Sequence, residues 1–380
     1  MIRRFLSFLL GCFLLKEVNS YQQVNQQVTY VGRWDLNGEI TGYPAAQWPG
    51  SQVSFHVETT KEGRCTVTIE LTGCVDDCHY FVDVEARNVM KDGSSPNVHE
   101  VIEISPSKSS IAIQFKSEST AYGYSTWYIQ LTKLTEGSYS DAKGMFSIID
   151  ISVDGGKIKD QDSVQDIDKS FTSVLFIGDS ITAAYGVEGD ADCAFQASYE
   201  SIQRSYAWLS AKATNTEATY IAFSGKGVVR NYGDIQSTSA DPMPLYYNRT
   251  LVDVIDPYWD PSQHPIPSIV SIALGANDYS TEPNPSDDDF IDNYLNLIDQ
   301  IHQDYPTAKI LCICEPMPNG KQEANIKSVA AKANVEYLRI GDDVYDYGFG
   351  CDGHPSTNTQ NAIASNYVIP KLREMLHEEK

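Results

Sequence analysis

Residues 174–186, VLFIGDSITAAYG, constrain this chain more than any other stretch. The apolar, β-type run 174–177 leads directly into Gly178, Asp179 and Ser180. A buried parallel strand ends on a tight turn in this way: glycine permits a steep backbone path and the serine hydroxyl is left at the strand's carboxyl edge. On open α/β sheets that edge carries the catalytic groups. The same turn also caps ordinary helices, so the rest of the chain has to decide between the two readings.

Two different rhythms flank this point. Residues 21–159 read as β throughout: 52–58, 64–71 and 79–86 alternate apolar and polar, and 98–105, 110–116, 126–134 and 145–153 continue the series between Gly- and Asp-rich turns. Such a run of short strands predicts an all-β antiparallel sandwich of jelly-roll type, folding as its own unit. A polar, aperiodic stretch follows, and the linker is placed at 160–170. Residues 171–380 then alternate strands (174–177, 219–223, 269–274, 309–314, 335–340) with helical patterns (199–213, 287–303, 322–333, 359–377). Alternation of this kind predicts a flavodoxin-like parallel sheet with helices on both faces.

The formal net charge of −23 repels phosphate backbones and anionic lipid heads, so neither nucleic acid nor a membrane surface is an expected partner. Residues 1–20 carry Arg3 and Arg4 before a short apolar run and end on small residues. They read as a secretory signal cut after Ser20, which makes the chain extracellular. Seven of the eight cysteines remain after that cut, so at least one thiol is unpaired in an oxidising compartment. Cys74, Cys78 and His79 have a zinc-like spacing, as do Cys312 and Cys314. A disulfide near a hairpin is the preferred reading for the first group, and small buried hydrophobes on one strand face for the second. No metal and no cofactor is expected, and the Gly-rich phosphate fingerprint is absent. Asn248 heads the only Asn-x-Ser/Thr sequon and is a candidate glycosylation site on a surface loop.

Chemistry gathers in four segments: Gly178-Asp179-Ser180, the Ser224–Tyr232 loop, Gly275-Ala276-Asn277-Asp278, and Cys351-Asp352-Gly353-His354-Pro355. Each follows an apolar strand or precedes the last helix. Together they offer a hydroxyl, a glycine amide open to close approach, an uncharged side-chain donor and an imidazole, which are the parts of an acyl-transfer site. Plainer readings stand beside this one. A His before Pro near a chain end is commonly a surface residue, and Asn277 could simply cap a turn.

In that order the four segments resemble the signature of the SGNH (GDSL-type) hydrolases: serine, glycine, asparagine, histidine. With the β region in front and the stretches Gly186-Val187-Glu188-Gly189, Ser224-Gly225-Lys226-Gly227 and Arg230-Asn231-Tyr232, the chain resembles carbohydrate esterase family 2. The resemblance implies a secreted, monomeric serine acetylesterase acting on acetylated plant polysaccharides such as xylan and glucomannan. It implies Ser180 as nucleophile, His354 as base, and an oxyanion hole from the amides of Ser180 and Gly227 and the side chain of Asn277. An SGNH lipase or phospholipase, and a non-catalytic carbohydrate-binding protein, are the competing readings. Arg230, Asn231 and Trp259 are candidate substrate contacts, although Arg230 could be a surface charge and Trp259 a packed loop anchor.

Two departures from the family pattern bear on mechanism. The acid expected three residues before the histidine is Cys351 here, leaving Asp352 as a possible third member of a triad or a backbone carbonyl of the same loop as the acceptor. Adjacent side chains point apart, which favours the carbonyl. Gly353 also stands where some family 2 enzymes carry an aromatic residue before the base.

Overall fold

The computed structural model describes residues 27–59, 63–74, 77–89, 97–117, 125–160, 172–316 and 320–377. The expected signal segment 1–20 and nearly all of the linker 160–170 lie outside the described residues.

The first half is built from β1 (Val28–Val31), β2 (Ala45–Ala46), β3 (Gln52–Thr59), β4 (Gly63–Thr72), β5 (Tyr80–Asn88), β6 (Val98–Ile104), β7 (Ser110–Ser117), β8 (Thr126–Lys133), β9 (Ser138–Tyr139), β10 (Ala142–Lys143), β11 (Phe146–Asp154) and β12 (Gly156–Ile158). One antiparallel sheet runs β1-β3-β8-β5-β6 with β12 beside β3; a second runs β2-β11-β4-β7; β9 and β10 form a small hairpin. Residues of β3 and β4 alternate buried and less buried, as a strand with one face on a core requires. The buried faces of the two sheets, among them Val53, Phe55, Val57, Val67, Ile69, Val82, Val84, Ile111 and Ile113, share one core. Cys74 and Cys78 form a disulfide, so they do not bind zinc.

The second half is a five-stranded parallel sheet: β13 (Ser173–Gly178), β14 (Glu217–Ala222), β15 (Ile269–Ala273), β16 (Lys309–Cys314) and β17 (Glu336–Arg339), in the order β14-β13-β15-β16-β17. The helices are α1 (Ser180–Ala183), α2 (Tyr206–Thr214), α3 (Met243–Tyr247), α4 (Ala276–Tyr279), α5 (Asp287–Asp304), α6 (Gly320–Ala333), α7 (Thr357–Ile363) and α8 (Ile369–His377). Leu175, Ile177, Val270, Ile272, Ile310 and Cys312 face α3, α5 and α6, while Val174, Phe176, Ile269, Leu311 and Ile313 face α2, α7 and α8. Strand order reverses between β13 and β15, which opens a crevice at their carboxyl ends, the usual ligand site of such sheets.

One expectation needs correction. The helix expected over 199–213 begins only at Tyr206, because Ser205 caps it by accepting from the Trp208 amide at 3.1 Å, and the preceding residues form 3₁₀ turns. Each half has its own core, and the two also touch. Trp48, 0 % exposed, belongs to the core between the parallel sheet and α5, Leu134 belongs to the core on the opposite face, and Arg33 donates to the carbonyls of Tyr247 and Arg249. At Gly50 the left-handed φ of +73° and a Tyr220 ring carbon 2.3 Å from where a Cβ would stand leave room for glycine alone.

Trp48→Ala should therefore destabilise the whole chain by about 3–5 kcal/mol, the usual cost of emptying a buried aromatic site. Thermal unfolding should show one transition in wild type and variant alike. Two separated transitions would mean that the halves unfold independently.

Candidate active site

The Ser180 turn owes its shape to the residue before it. Asp179, 0 % exposed, caps α1 by accepting from the Ile181 amide at 3.0 Å. Its other oxygen accepts from Asn277 Nδ2 at 2.8 Å, tying the end of β13 to the end of β15. Glu315, just beyond β16, is the buried carboxyl facing Asp179, and burial raises both, Glu315 well above the carboxylate range.

The loop after β14 is held from below by Asp278. Its carboxylate accepts from three consecutive amides, Val228 (2.9 Å), Val229 (2.8 Å) and Arg230 (2.9 Å), while burial pushes its pKa up to about 6 against their pull. The chain passes so close at Gly227 that a Cβ there would stand 2.0 Å from the Arg230 carbonyl oxygen and 2.6 Å from Asp278 Oδ2. The Gly227 amide donates to Asn231 Oδ1 at 3.2 Å, and Asn277 Nδ2 donates to the Lys226 carbonyl at 3.0 Å as well as to Asp179. Two of the three donors named from sequence thus already hold acceptors from within the protein.

His354 completes the group. Its Nε2 lies 2.8 Å from Ser180 Oγ, and its Nδ1 lies 3.2 Å from the Cys351 carbonyl oxygen. A carbonyl only accepts, so Nδ1 carries the proton of the neutral ring and Nε2 presents its lone pair to the serine hydroxyl. The Asp352 carboxylate turns away from the ring: the residue is left-handed at φ 52°, and its side chain accepts from the Tyr185 hydroxyl at 2.7 Å. The Tyr185 ring in turn stacks on the imidazole, centroids 4.1 Å apart. Burial drives the His354 pKa down to about 4, opposed by the Cys351 carbonyl and the Asp352 charge. The loop that carries the base is fastened by a Cys193–Cys351 disulfide and by the Cys351 amide donating to the Gly186 carbonyl at 3.1 Å.

Other residues named from sequence lie differently. Arg230 is 0 % exposed and directs its guanidinium to the Asp234, Gln236 and Thr281 carbonyls and the Thr281 hydroxyl; it clamps the loop from within and does not face an open cleft. Asn231 likewise serves the loop, accepting from Gly227 and donating to Asp241. Trp259 is the packed anchor, donating to the Tyr305 hydroxyl and stacked on His264 at 3.8 Å. Tyr305 ends α5, which returns to the amino edge of the sheet, the rim opposite Ser180. Asn248 is half-buried and accepts from Gln300, and Thr250 is covered, so the sequon is not on an open loop.

Three neighbours of the site escaped the sequence reading. Tyr185 lies inside the strand-turn-helix stretch itself, five residues after the serine, and is given no role there. Glu136 and Tyr139 come from the β-rich half: Glu136 accepts from Ser224, and the Tyr139 ring lies 5.7 Å from Tyr185 and 5.3 Å from Phe195. No local pattern connects them to residues so far along the chain.

Residues 176–361 match the GDSL-like Lipase/Acylhydrolase family. Among curated proteins, the chain is 35% identical over 206 residues to the cellulase/esterase CelE of Acetivibrio thermocellus, covering 50% of this chain and 24% of that protein. It is 29% identical over 217 residues to an acetylxylan esterase / glucomannan deacetylase of Cellvibrio japonicus, covering 53% of this chain and 59% of the relative. The chain thus spans less than two thirds of either. Among solved structures, a family two carbohydrate esterase from Clostridium thermocellum in complex with cellohexaose superposes with a TM-score of 0.73 at 25% identity, over 92% of this chain and 99% of that one. Residues 176–361 thus carry a GDSL-like lipase/acylhydrolase domain, and with the β-rich half in front of it the chain is similar in its two-part architecture to the family two carbohydrate esterase from Clostridium thermocellum.

Proposed function

We propose that this protein is a secreted carbohydrate O-acetylesterase that removes acetyl groups from plant polysaccharides such as acetylated xylan and glucomannan. The observation that carries the reading is the contact of Ser180 Oγ with His354 Nε2 at 2.8 Å, with Nδ1 held on the Cys351 carbonyl. In the reaction, Oγ adds to the acetyl carbonyl carbon as its proton passes to Nε2. The carbonyl becomes a tetrahedral oxyanion, which the amides of Ser180 and Gly227 and the Asn277 side chain stabilise. Collapse expels the sugar oxygen, which takes the proton from His354, and water then frees acetate from the acyl-enzyme by the same steps in reverse.

In this reading the pair works as a dyad. Holding the oxyanion requires Gly227 to give up Asn231 and Asn277 to give up the Lys226 carbonyl, and the long 3.2 Å bond to Asn231 is the easier to displace. The β-rich half, residues 21–159, is a jelly roll, and residues 171–380 are the catalytic part of a monomer. The two relatives named for esterase activity and the cellohexaose-bound structural neighbour support a carbohydrate rather than a lipid substrate.

Ser180→Ala should abolish acetate release from acetylated xylan and glucomannan while carbohydrate affinity persists; near-normal turnover would remove the serine-esterase reading. Asp352→Ala should keep substantial turnover whereas His354→Ala should not. A collapse of the former to the level of the latter, in folded protein, would establish a displaced triad. The base must be unprotonated to act, so with the pKa held near 4 the kcat/KM profile should fall only as the pH drops through about 4. An acid limb near the ordinary imidazole value of 6.5 would contradict the buried setting of His354.

A further inference from the structure

The loop that carries Gly227 starts at Ser224, and the group that fixes Ser224 belongs to the other half of the chain. Glu136, on the turn between β8 and β9, is 1 % exposed. One of its oxygens accepts from the Ser224 amide at 2.5 Å and the other from the Ser224 hydroxyl. Behind it, the Glu136 amide donates to Glu200 at 2.9 Å, and the fully buried Lys133 ammonium donates to the Glu136 carbonyl at 2.8 Å and to the Thr135 carbonyl. Burial raises both carboxyls, and at Glu136 the Glu200 contact and the two Ser224 donors oppose that rise.

This arrangement is more than packing between two halves. A buried carboxylate gripping an amide and a hydroxyl of one residue leaves that residue little freedom to rotate. Three residues beyond Ser224 is the Gly227 amide, which must meet an oxygen that bears charge only in the transition state. Three residues beyond Glu136, Tyr139 packs against Tyr185, and Tyr185 stacks on the His354 ring. The short segment 136–139 therefore touches the supports of both the oxyanion donor and the base.

Resting on the serine-esterase reading above, we infer that Glu136 is a positioning residue: it sets the Ser224–Gly227 backbone so that the Gly227 amide points at the oxyanion, which makes the β-rich half part of the catalytic apparatus. It acts through Ser224 and touches no substrate. Misplacing one oxyanion donor costs about 10²–10³-fold in turnover, with little effect on ground-state binding.

The test uses the full chain, with kcat expressed per active site titrated by a serine-directed covalent reagent. Glu136→Ala should lower per-site kcat on acetylated xylan by about a hundredfold and leave KM nearly unchanged. Glu136→Gln, which keeps an acceptor oxygen for Ser224, should recover a large part of that loss. Ser224→Ala removes one of the two donors without disturbing Lys133 or Glu200, and should lower per-site kcat by about tenfold; it carries the test if Glu136→Ala does not fold. A lower melting temperature with per-site kcat unchanged in Glu136→Ala and Ser224→Ala would make Glu136 merely structural and overturn the inference. Ser180→Ala, run alongside, separates the cases: if it alone is inactive, only the positioning role fails, whereas an active Ser180→Ala overturns the underlying reading.

Discussion

The Asp278 carboxylate, fully buried beneath three consecutive amides, is the interaction on which the geometry of the site depends. A loop cannot be buried at a sheet edge unless its backbone donors find acceptors, and residues 228–230 have no strand or helix to supply them. One carboxylate meets the need, and by doing so draws the chain in until only glycine fits at position 227. The neighbouring Asn277 extends the same logic in the other direction, clasping Asp179 and the Lys226 carbonyl. The turn with the serine and the loop with the glycine are thereby built as one unit.

His354, the proposed base, lies in a half-buried setting. His354 has a carbonyl where a carboxylate is more familiar, a tyrosine ring across its face, and a disulfide securing the loop beneath it. Burial favours the neutral ring, so the imidazole is ready to accept a proton at any pH well above 4. In the proposed esterase reaction, the imidazolium formed during attack would gain less than from an ionised partner on Nδ1, which is the energetic difference between a dyad and a triad. Asp352 supplies charge only at a remove, through its place beside Tyr185.

Contacts between the halves follow from what each leaves unsatisfied. The parallel sheet lacks an apolar cover that Trp48 and Leu134 provide, and the Ser224 turn lacks an acceptor that Glu136 provides. In exchange the β-rich half keeps Lys133, Glu136 and Glu200 away from water, each answered by a partner across the boundary or along its own turn. Groups of this polarity are buried at such density only where the partners are fixed on both sides.

The sequence by itself determined the order of elements, the edge at which chemistry gathers, and the identity of Ser180, Gly227, Asn277 and His354 as the group of interest. Strand rhythm is a local property, and motifs that sit at strand ends inherit their position from it. What it did not determine was how each polar side chain is spent. Arg230 and Asn231 carry ligand-like chemistry in a suggestive stretch, yet the loop consumes their hydrogen bonds; Trp259 sits in a loop of the right composition but on the wrong rim. The choice between Asp352 and a carbonyl turned on one left-handed residue, and the pairing of Cys193 with Cys351, like the grip of Glu136 on Ser224, spans many intervening residues. Hydrogen-bond partners of buried groups are set by which segments meet, and segments distant in sequence meet only when the sheets have packed, so tertiary structure alone decided them.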